Sequence, residues 1–90
     1  MEFEWDTAKA ASNLSKHGVS FPDAATIFGD ARAITFPDPD HSEHEDRFLT
    51  FGQSEKSTLL VVSHTDREGL TGIISAQRAS RKERTIYEEG

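Results

Sequence analysis

Apolar and polar residues alternate at the start of the chain and then change to a helical spacing. Residues 1–5 read Met-Glu-Phe-Glu-Trp, the two-residue period of a short strand. Asp6 is a suitable N-cap for a helix over residues 7–17 that ends at Gly18, and its apolar side is formed by Ala8, Ala11 and Leu14. Ser20 can cap a second helix, whose buried side is formed by Ala24, Ala25, Ile27 and Phe28. The pattern predicts one strand followed by two helices.

The rest of the chain has the short apolar runs and turn residues of an antiparallel meander. Strands are predicted over residues 33–36, 47–52, 57–64 and 70–76, and a capping-box pattern at Ser80 begins a C-terminal helix. The predicted core consists of Phe3, Trp5, Phe28, Phe48 or Phe51, and Ile73. The element order predicts an α+β fold, a small single domain over residues 1–90. Its antiparallel sheet is packed by two N-terminal helices and one C-terminal helix.

Composition narrows the class of function. The chain has 90 residues, a formal net charge of −6 and no cysteine. This charge excludes a strongly basic nucleic-acid binder, and the lack of cysteine fits a reducing cytosol. The N-terminus carries acids where a signal peptide needs positive charge, and the longest apolar run, residues 59–62, is too short to span a bilayer. The sequence therefore predicts a soluble cytoplasmic protein with no membrane attachment.

Basic residues are concentrated where the last strand meets the C-terminal helix. Residues 77–84 hold four bases against one acid, and the bases are Arg78, Arg81, Lys82 and Arg84. Arg81 and Arg84 share a helix face, and backbone N–H groups next to Ser80 at the helix start favour a phosphate. We interpret this cluster as the site of a specific anionic ligand. The alternative is a solvated helix face that Glu83 partly neutralises.

Short motifs are spread from one end of the chain to the other. They comprise Phe3-Glu4-Trp5-Asp6 with Lys9, Asn13-Leu14, Lys16-His17-Gly18-Val19-Ser20-Phe21, Ala24-Ala25 with Phe28, Asp46-Arg47, Gly52, Leu60-Val61-Val62 with His64, and Ile73-Ile74-Ser75-Ala76 followed by Ala79, Glu83 and Tyr87. Together they resemble the BrnT family, the toxins of BrnT/BrnA type II toxin–antitoxin systems. The resemblance implies a RelE-like fold and a metal-independent endoribonuclease that inhibits translation by cutting RNA without a cofactor. It also implies a BrnA-type antitoxin, with which the toxin forms a hetero-oligomer. The antitoxin binds operator DNA, so the toxin contacts this DNA only indirectly.

Proton transfer is the first requirement of RNA cleavage without a metal. A base must take the 2′-hydroxyl proton, and an acid must protonate the leaving 5′-oxygen. The candidates are His64 at a strand end, and Lys16 and His17 at a helix end. Structural roles are the alternatives: a hydrogen bond between His64 and a turn, and favourable contact of Lys16 and His17 with the helix dipole.

Binding and neutralising the phosphate is the second requirement. Arg47, Arg78 and Arg81 are the candidates for this role, and further RNA contacts are predicted at Ser80, Lys82 and Arg84. Arg47 has an alternative role as an ion-pair partner of Asp46 or Glu45. Tyr87 could stack on a base or pack its ring on the sheet.

Two positions depart from the family pattern. Gly72 stands where the family usually has an Arg just before two apolar strand residues, and Gln77 stands where it usually has an Arg just after Ser-Ala. Because Gln cannot offer the cationic fork of Arg, the departures favour an attenuated enzyme. The alternative function is a catalytically inactive antitoxin-binding partner that acts in operon repression.

The acidic segment before the third strand offers a competing interpretation. It contains Asp38, Asp40, His41, Glu43, His44, Glu45 and Asp46, which could hold a divalent metal if the segment folded back on itself. We instead predict an exposed acidic loop that is able to attract a basic partner, and no metal site.

Overall fold

The computed structural model describes residues 1–41 and 46–90, apart from the side chain of His41. Its elements are β1 (Glu2–Glu4), α1 (Thr7–His17), α2 (Phe21–Ala25), a 3-10 turn (Thr26–Gly29), β2 (Ile34–Pro37), a second 3-10 turn (Pro39–His41), β3 (Arg47–Gln53), β4 (Leu59–Arg67), β5 (Leu70–Arg78) and α3 (Arg81–Glu89). The predicted α+β fold and the predicted order of its main elements are confirmed. Glu43, His44 and Glu45 of the predicted acidic loop lie outside the described residues.

Side-chain caps determine where the helices begin. Asp6 Oδ1 accepts two backbone N–H bonds from the first turn of α1, at 2.8 and 3.1 Å. Ser20 Oγ accepts a bond of 3.2 Å from the backbone N–H of Asp23 in α2. Ser80 and Glu83 exchange bonds of 2.8 and 3.1 Å at the start of α3, which confirms the predicted capping box.

The five strands form one sheet in the order β1-β5-β4-β3-β2. Strands β2 to β5 are successive antiparallel neighbours, so the predicted meander is confirmed. Strand β1 joins the edge of β5 in parallel, from Glu2 opposite Leu70 to Glu4 opposite Gly72, and makes the sheet mixed. The sequence did not predict this parallel pairing, because a three-residue strand contains no local information about its partner.

The sheet has one face packed by α1 and α2 and a second face packed by α3. The core of the α1/α2 face consists of Val19, Phe21, Ala24, Ile27, Leu60, Val62, Ile73 and Ala76, with Phe3, Trp5 and Phe28 packed against it. On the α3 face, Phe51, Leu59 and Val61 are buried with Tyr87. The predicted core positions Phe51 and Ile73 are therefore buried, and Phe48 is half-buried.

The side of α1 that faces the sheet differs from the prediction. Its apolar residues Ala8, Ala11 and Leu14 are exposed, and Leu14 is 52% exposed. The buried residue is Asn13, whose Nδ2 donates to the carbonyl oxygens of Val19 at 3.0 Å and Ala76 at 2.8 Å. Its Oδ1 accepts a bond of 3.0 Å from the Ala76 N–H. A polar side chain is favoured here because it pairs with backbone groups of β5 that would otherwise be buried without a hydrogen bond.

Candidate functional site

His64 lies on the α1/α2 face of β4 and is 1% exposed. Its Nδ1 is 3.2 Å from Asp66 Oδ1, and its Nε2 is 2.7 Å from Thr50 Oγ1. Because a carboxylate only accepts hydrogen bonds, we assign the proton to Nδ1, and Nε2 accepts from the Thr50 hydroxyl. The Phe28 ring meets the imidazole edge-on, with 5.0 Å between the ring centroids. Both ring nitrogens therefore have protein partners.

The hydrogen bonds of His64 continue across four strands. Thr50 is bonded to Thr35 at 2.7 Å, and Thr71 donates to Asp66 Oδ1 at 3.2 Å. Burial lowers the pKa of the His64 imidazole, and the charge of Asp66 offsets part of this lowering. A pocket of about 340 Å³ lies beside the ring and is lined by Met1, Phe28, Thr35, His64, Asp66, Gly69 and Thr71. The catalytic role of His64 stays a prediction, and its geometry is that of a buried, neutral imidazole.

On the opposite face, α3 covers one end of the sheet. Tyr87 packs there with Phe51 and Val61, and its hydroxyl donates a bond of 2.6 Å to Asp30 Oδ2. This bond lowers the pKa of the Asp30 carboxyl and raises the pKa of the Tyr87 hydroxyl. The guanidinium of Arg32 lies 5.8 Å from the centre of the Tyr87 ring. Tyr87 therefore holds α3 against the sheet and the turn before β2.

Beyond α3, this face continues as two rows of residues paired across the strands. In the first row, Ser75 pairs with Ser63, which pairs with Leu49; in the second, Gly72 pairs with Thr65, which pairs with Arg47. We call these six residues the open face. Ser75 is exposed, and Leu49, Ser63, Gly72 and Arg47 are half-buried. The hydroxyls of Ser63 and Ser75 beside Arg47 provide hydrogen-bond donors and a cation, whereas Thr65 is buried.

A groove between α1 and the edge of β5 adjoins the open face. It has a volume of about 200 Å³ and is lined by Lys9, Ser12, Asn13, Lys16, His17, Ile74 and Ser75. Ser75 belongs both to this groove and to the open face, so the predicted proton carriers Lys16 and His17 stand at the rim of that face. Lys9 was not among the predicted site residues, because a single lysine early in a helix carries no functional signal.

The basic junction lies where β5 ends and α3 begins. Arg78 pairs with Leu60 and lines a second groove of about 220 Å³ with Gly18, Asp23 and Lys56, on the α1/α2 side. The remaining predicted RNA contacts, Ser80, Arg81, Lys82 and Arg84, are exposed at the start of α3. The hydroxyl oxygen and N–H of Ser80 take part in the capping box.

The structure gathers some of the predicted site residues and separates others. Lys16 and His17 lie at the edge of β5 near its basic end, whereas Arg47 is level with Gly72 at the opposite end. Gly72 and Arg78 are six positions apart, about 20 Å along a strand. His64 is on the other face of the sheet. Arg47 and the basic junction can therefore contact different phosphates of one strand, and they cannot both bind a single phosphate.

The two positions that depart from the family pattern both belong to β5. A Cβ atom at Gly72 would lie 2.7 Å from Thr65 Oγ1, closer than side chains tolerate, and 3.8 Å from Glu4 Cγ. Gln77 is exposed and pairs with Val61 in the row under α3. A longer side chain at position 72 thus requires Thr65 to move, whereas position 77 has room for one.

Within residues 1–41 and 46–90 there is no group of three or more histidine, cysteine or acidic side chains arranged to hold a metal ion. None of the helices in that part of the chain has the length and apolar character needed to cross a membrane.

The family model described as the ribonuclease toxin BrnT of type II toxin–antitoxin systems matches residues 5–83. The 1.1 Å crystal structure of the Brucella abortus ribonuclease toxin BrnT matches with a TM-score of 0.70 and 24% sequence identity, over 90% of this chain and 99% of that chain. A search of curated proteins gave no significant match. At this identity, the structural match establishes the fold.

Proposed function

The chain belongs to the BrnT family of ribonuclease toxins of type II toxin–antitoxin systems, and we propose on this basis that it is a metal-independent endoribonuclease. It inhibits translation by cutting RNA in the cytoplasm, and a BrnA-type antitoxin neutralises it. The observation that carries the proposal is the family match over residues 5–83. The open face, with Arg47 and Ser75 on it and Lys16 and His17 at its rim, supplies a surface suited to an RNA strand.

In the proposed reaction, the 2′-oxygen of a ribose attacks the adjacent phosphorus, and the bond from phosphorus to the 5′-oxygen breaks. His17 and Lys16 are the exposed groups available to take the 2′-hydroxyl proton and to protonate the leaving oxygen. The products are a 2′,3′-cyclic phosphate and a 5′-hydroxyl end.

The arginines hold the strand around the reacting phosphate. Arg47 binds phosphate at one end of the open face, and Arg78 and Arg81 bind other phosphates of the strand at the basic junction, Arg78 from the α1/α2 side. Ser80, Lys82 and Arg84 extend the RNA contacts along α3. His64 stays a candidate for proton transfer, and its bond to Thr50 also joins β3 to β4.

The test is digestion of a labelled single-stranded RNA by the purified full chain in EDTA. We expect fragments with cyclic-phosphate and 5′-hydroxyl ends, and no cleavage where a 2′-deoxyribose replaces the attacking nucleotide. A strict Mg²⁺ requirement, or products with 5′-phosphates, would contradict the proposed reaction.

The proposed partner is the antitoxin, bound in a hetero-oligomer that represses the operon. The toxin then reaches operator DNA only through the antitoxin, as expected for a chain with a net charge of −6. In a gel-shift experiment the complex should retard operator DNA, and the toxin alone should not. Retardation by the toxin alone at physiological salt would contradict this arrangement.

A second function is favoured by the surroundings of Gly72 and Gln77. Thr65 Oγ1 occupies the space that a side chain at position 72 would need. Because position 77 is Gln, the row that it forms with Val61 carries no positive charge. We propose as the alternative a catalytically inactive partner that binds antitoxin and acts in operon repression. Tight antitoxin binding without RNA cleavage would support it. Gln77→Arg should then restore cleavage if the rest of the site is intact, and Gln77→Glu is the matched control.

A further inference from the structure

The groove between α1 and β5 has a cationic side formed by one face of the helix. Lys9 and Lys16 are seven residues apart, two turns of α1, so both point to the same side as Asn13 between them. The rise of the helix separates their backbones by about 10 Å. Lys9, Lys16 and His17 all line the groove, opposite Ile74 and Ser75 of β5. Three groups able to carry positive charge therefore surround a space of about 200 Å³.

The helix that carries these cations is held rigidly against the strand. All three hydrogen bonds of the Asn13 amide go to backbone groups of Val19, just after the helix, and of Ala76 in β5. Asp6 and Gly18 cap the two ends of α1. The backbone positions of Lys9 and Lys16 are thus fixed before any ligand binds, and this reduces the entropy cost of binding.

The charge of α1 is opposite to that of the whole chain. Residues 7–17 contain two lysines, one histidine and no acid, in a protein with a net charge of −6. The nearest acid in sequence, Asp6, accepts two N–H bonds at the helix start. Lys16 and His17 also offset the negative end of the helix dipole. An anion is therefore attracted to this groove more strongly than to most of the surface.

We propose that the groove binds a phosphate group of the RNA strand that lies on the open face. This inference rests on the proposed function and adds Lys9 to the residues that contact the substrate. Ser75 connects the two surfaces, because it lines the groove and also belongs to the first row of the open face. The RNA strand passes Ser75, turns round the edge of β5 and places the next phosphate between Lys9 and Lys16.

The experiment measures binding of a fluorescent 2′-O-methyl oligonucleotide, which cannot be cleaved, to the full chain in EDTA at several salt concentrations. Lys9→Gln should weaken binding about fivefold at 0.1 M salt and reduce the salt slope by about 0.7, the contribution of one phosphate contact on a single strand. Lys9→Gln combined with Lys16→Gln should weaken binding further than Lys9→Gln alone, and because both lysines contact the same phosphate the two losses are not expected to add. Lys56→Gln is the matched control, since Lys56 is an exposed lysine in the turn before β4.

The outcomes separate this inference from the proposed function. If Lys9→Gln binds the oligonucleotide as tightly as the unchanged protein does, the groove alone is overturned. A folded, unchanged protein that neither binds the oligonucleotide nor cleaves RNA would overturn both. A selective loss in Lys9→Gln, with the circular dichroism spectrum unchanged, would support the groove.

Discussion

His64 is the residue whose surroundings differ most from its sequence context. The sequence placed it at the end of a strand predicted over residues 57–64, as a candidate for proton transfer, whereas β4 continues to Arg67. The structure buries the ring because Phe28 and Phe48, from different parts of the chain, approach it at centroid distances of 5.0 and 5.9 Å. Such distant packing cannot be read from neighbouring residues, so the strand was predictable and the burial of His64 was not.

This burial predicts a pH dependence of stability. In the unfolded chain the imidazole has a pKa of about 6.5, and burial lowers the pKa of His64 in the folded state. The unfolded chain therefore binds more protons between the two pKa values. The contribution to the free energy of unfolding is complete above about pH 6.5 and is lost as pH falls below it.

Urea unfolding of the full chain between pH 5 and pH 7.5 measures this effect. His64→Asn should flatten the profile, because it removes the titrating group. If His64→Asn does not fold, an NMR titration of the unchanged protein measures the folded-state pKa of the His64 imidazole directly. A folded-state pKa for His64 at or above 6.5 would refute the prediction.

At the scale of elements, helix boundaries were predictable and the packing face of α1 was not. The caps at Asp6, Ser20 and Ser80 depend on local hydrogen bonds, which the sequence specifies directly. The side of α1 that faces the sheet depends instead on β5. The backbone groups of Ala76 need hydrogen-bond partners, and a side chain of α1 has to supply them. Hydrophobic spacing therefore pointed to Leu14, and the structure buries Asn13.

Asn13→Ala should weaken the attachment of α1 to β5. It removes three hydrogen bonds and leaves backbone groups of Val19 and Ala76 buried without partners, a cost of about 3 kcal/mol in the free energy of unfolding. Chemical denaturation measures this loss, and hydrogen exchange at the Ala76 N–H should become faster. The control is Ser15→Ala on the exposed side of the helix, expected within about 0.5 kcal/mol of the unchanged protein. Equal stability of the two variants would contradict the anchoring role.

The C-terminal helix α3 should depend on the bond between Tyr87 and Asp30. Tyr87→Phe keeps the ring and removes the 2.6 Å hydrogen bond, so we expect a loss of about 1 kcal/mol in the free energy of unfolding. Asp30→Asn and the double variant complete a double-mutant cycle whose coupling energy should be about 1 kcal/mol. Strict additivity of the two single losses would show that the bond does not stabilise α3.

On the scale of the whole molecule, the distribution of charge matters more than its total. Residues 1–46 carry ten acids and three bases, and residues 47–90 carry six acids and seven bases. The fold nevertheless brings Lys9 and Lys16, from the acidic half, beside Ser75 of the other half. The meander was predictable from apolar runs and turns, whereas this juxtaposition depends on the parallel pairing of β1 and on the anchoring of α1. The cationic rim of the open face is thus a property of the tertiary structure.

A growth experiment in bacteria tests whether this rim matters for toxicity. Induction of the full chain without antitoxin should arrest growth, with loss of intact RNA, and co-expression of antitoxin should relieve the arrest. Lys9→Gln with Lys16→Gln should grow at nearly the uninduced rate, because RNA binding is weaker and Lys16, one of the two proposed proton carriers, is also removed. Lys56→Gln should arrest growth like the unchanged chain, provided that immunoblots show equal protein levels. Equal arrest by the double variant would mean that the open face and the basic junction suffice for toxicity, and RNA contact at the edge of β5 would then be dispensable in the cell.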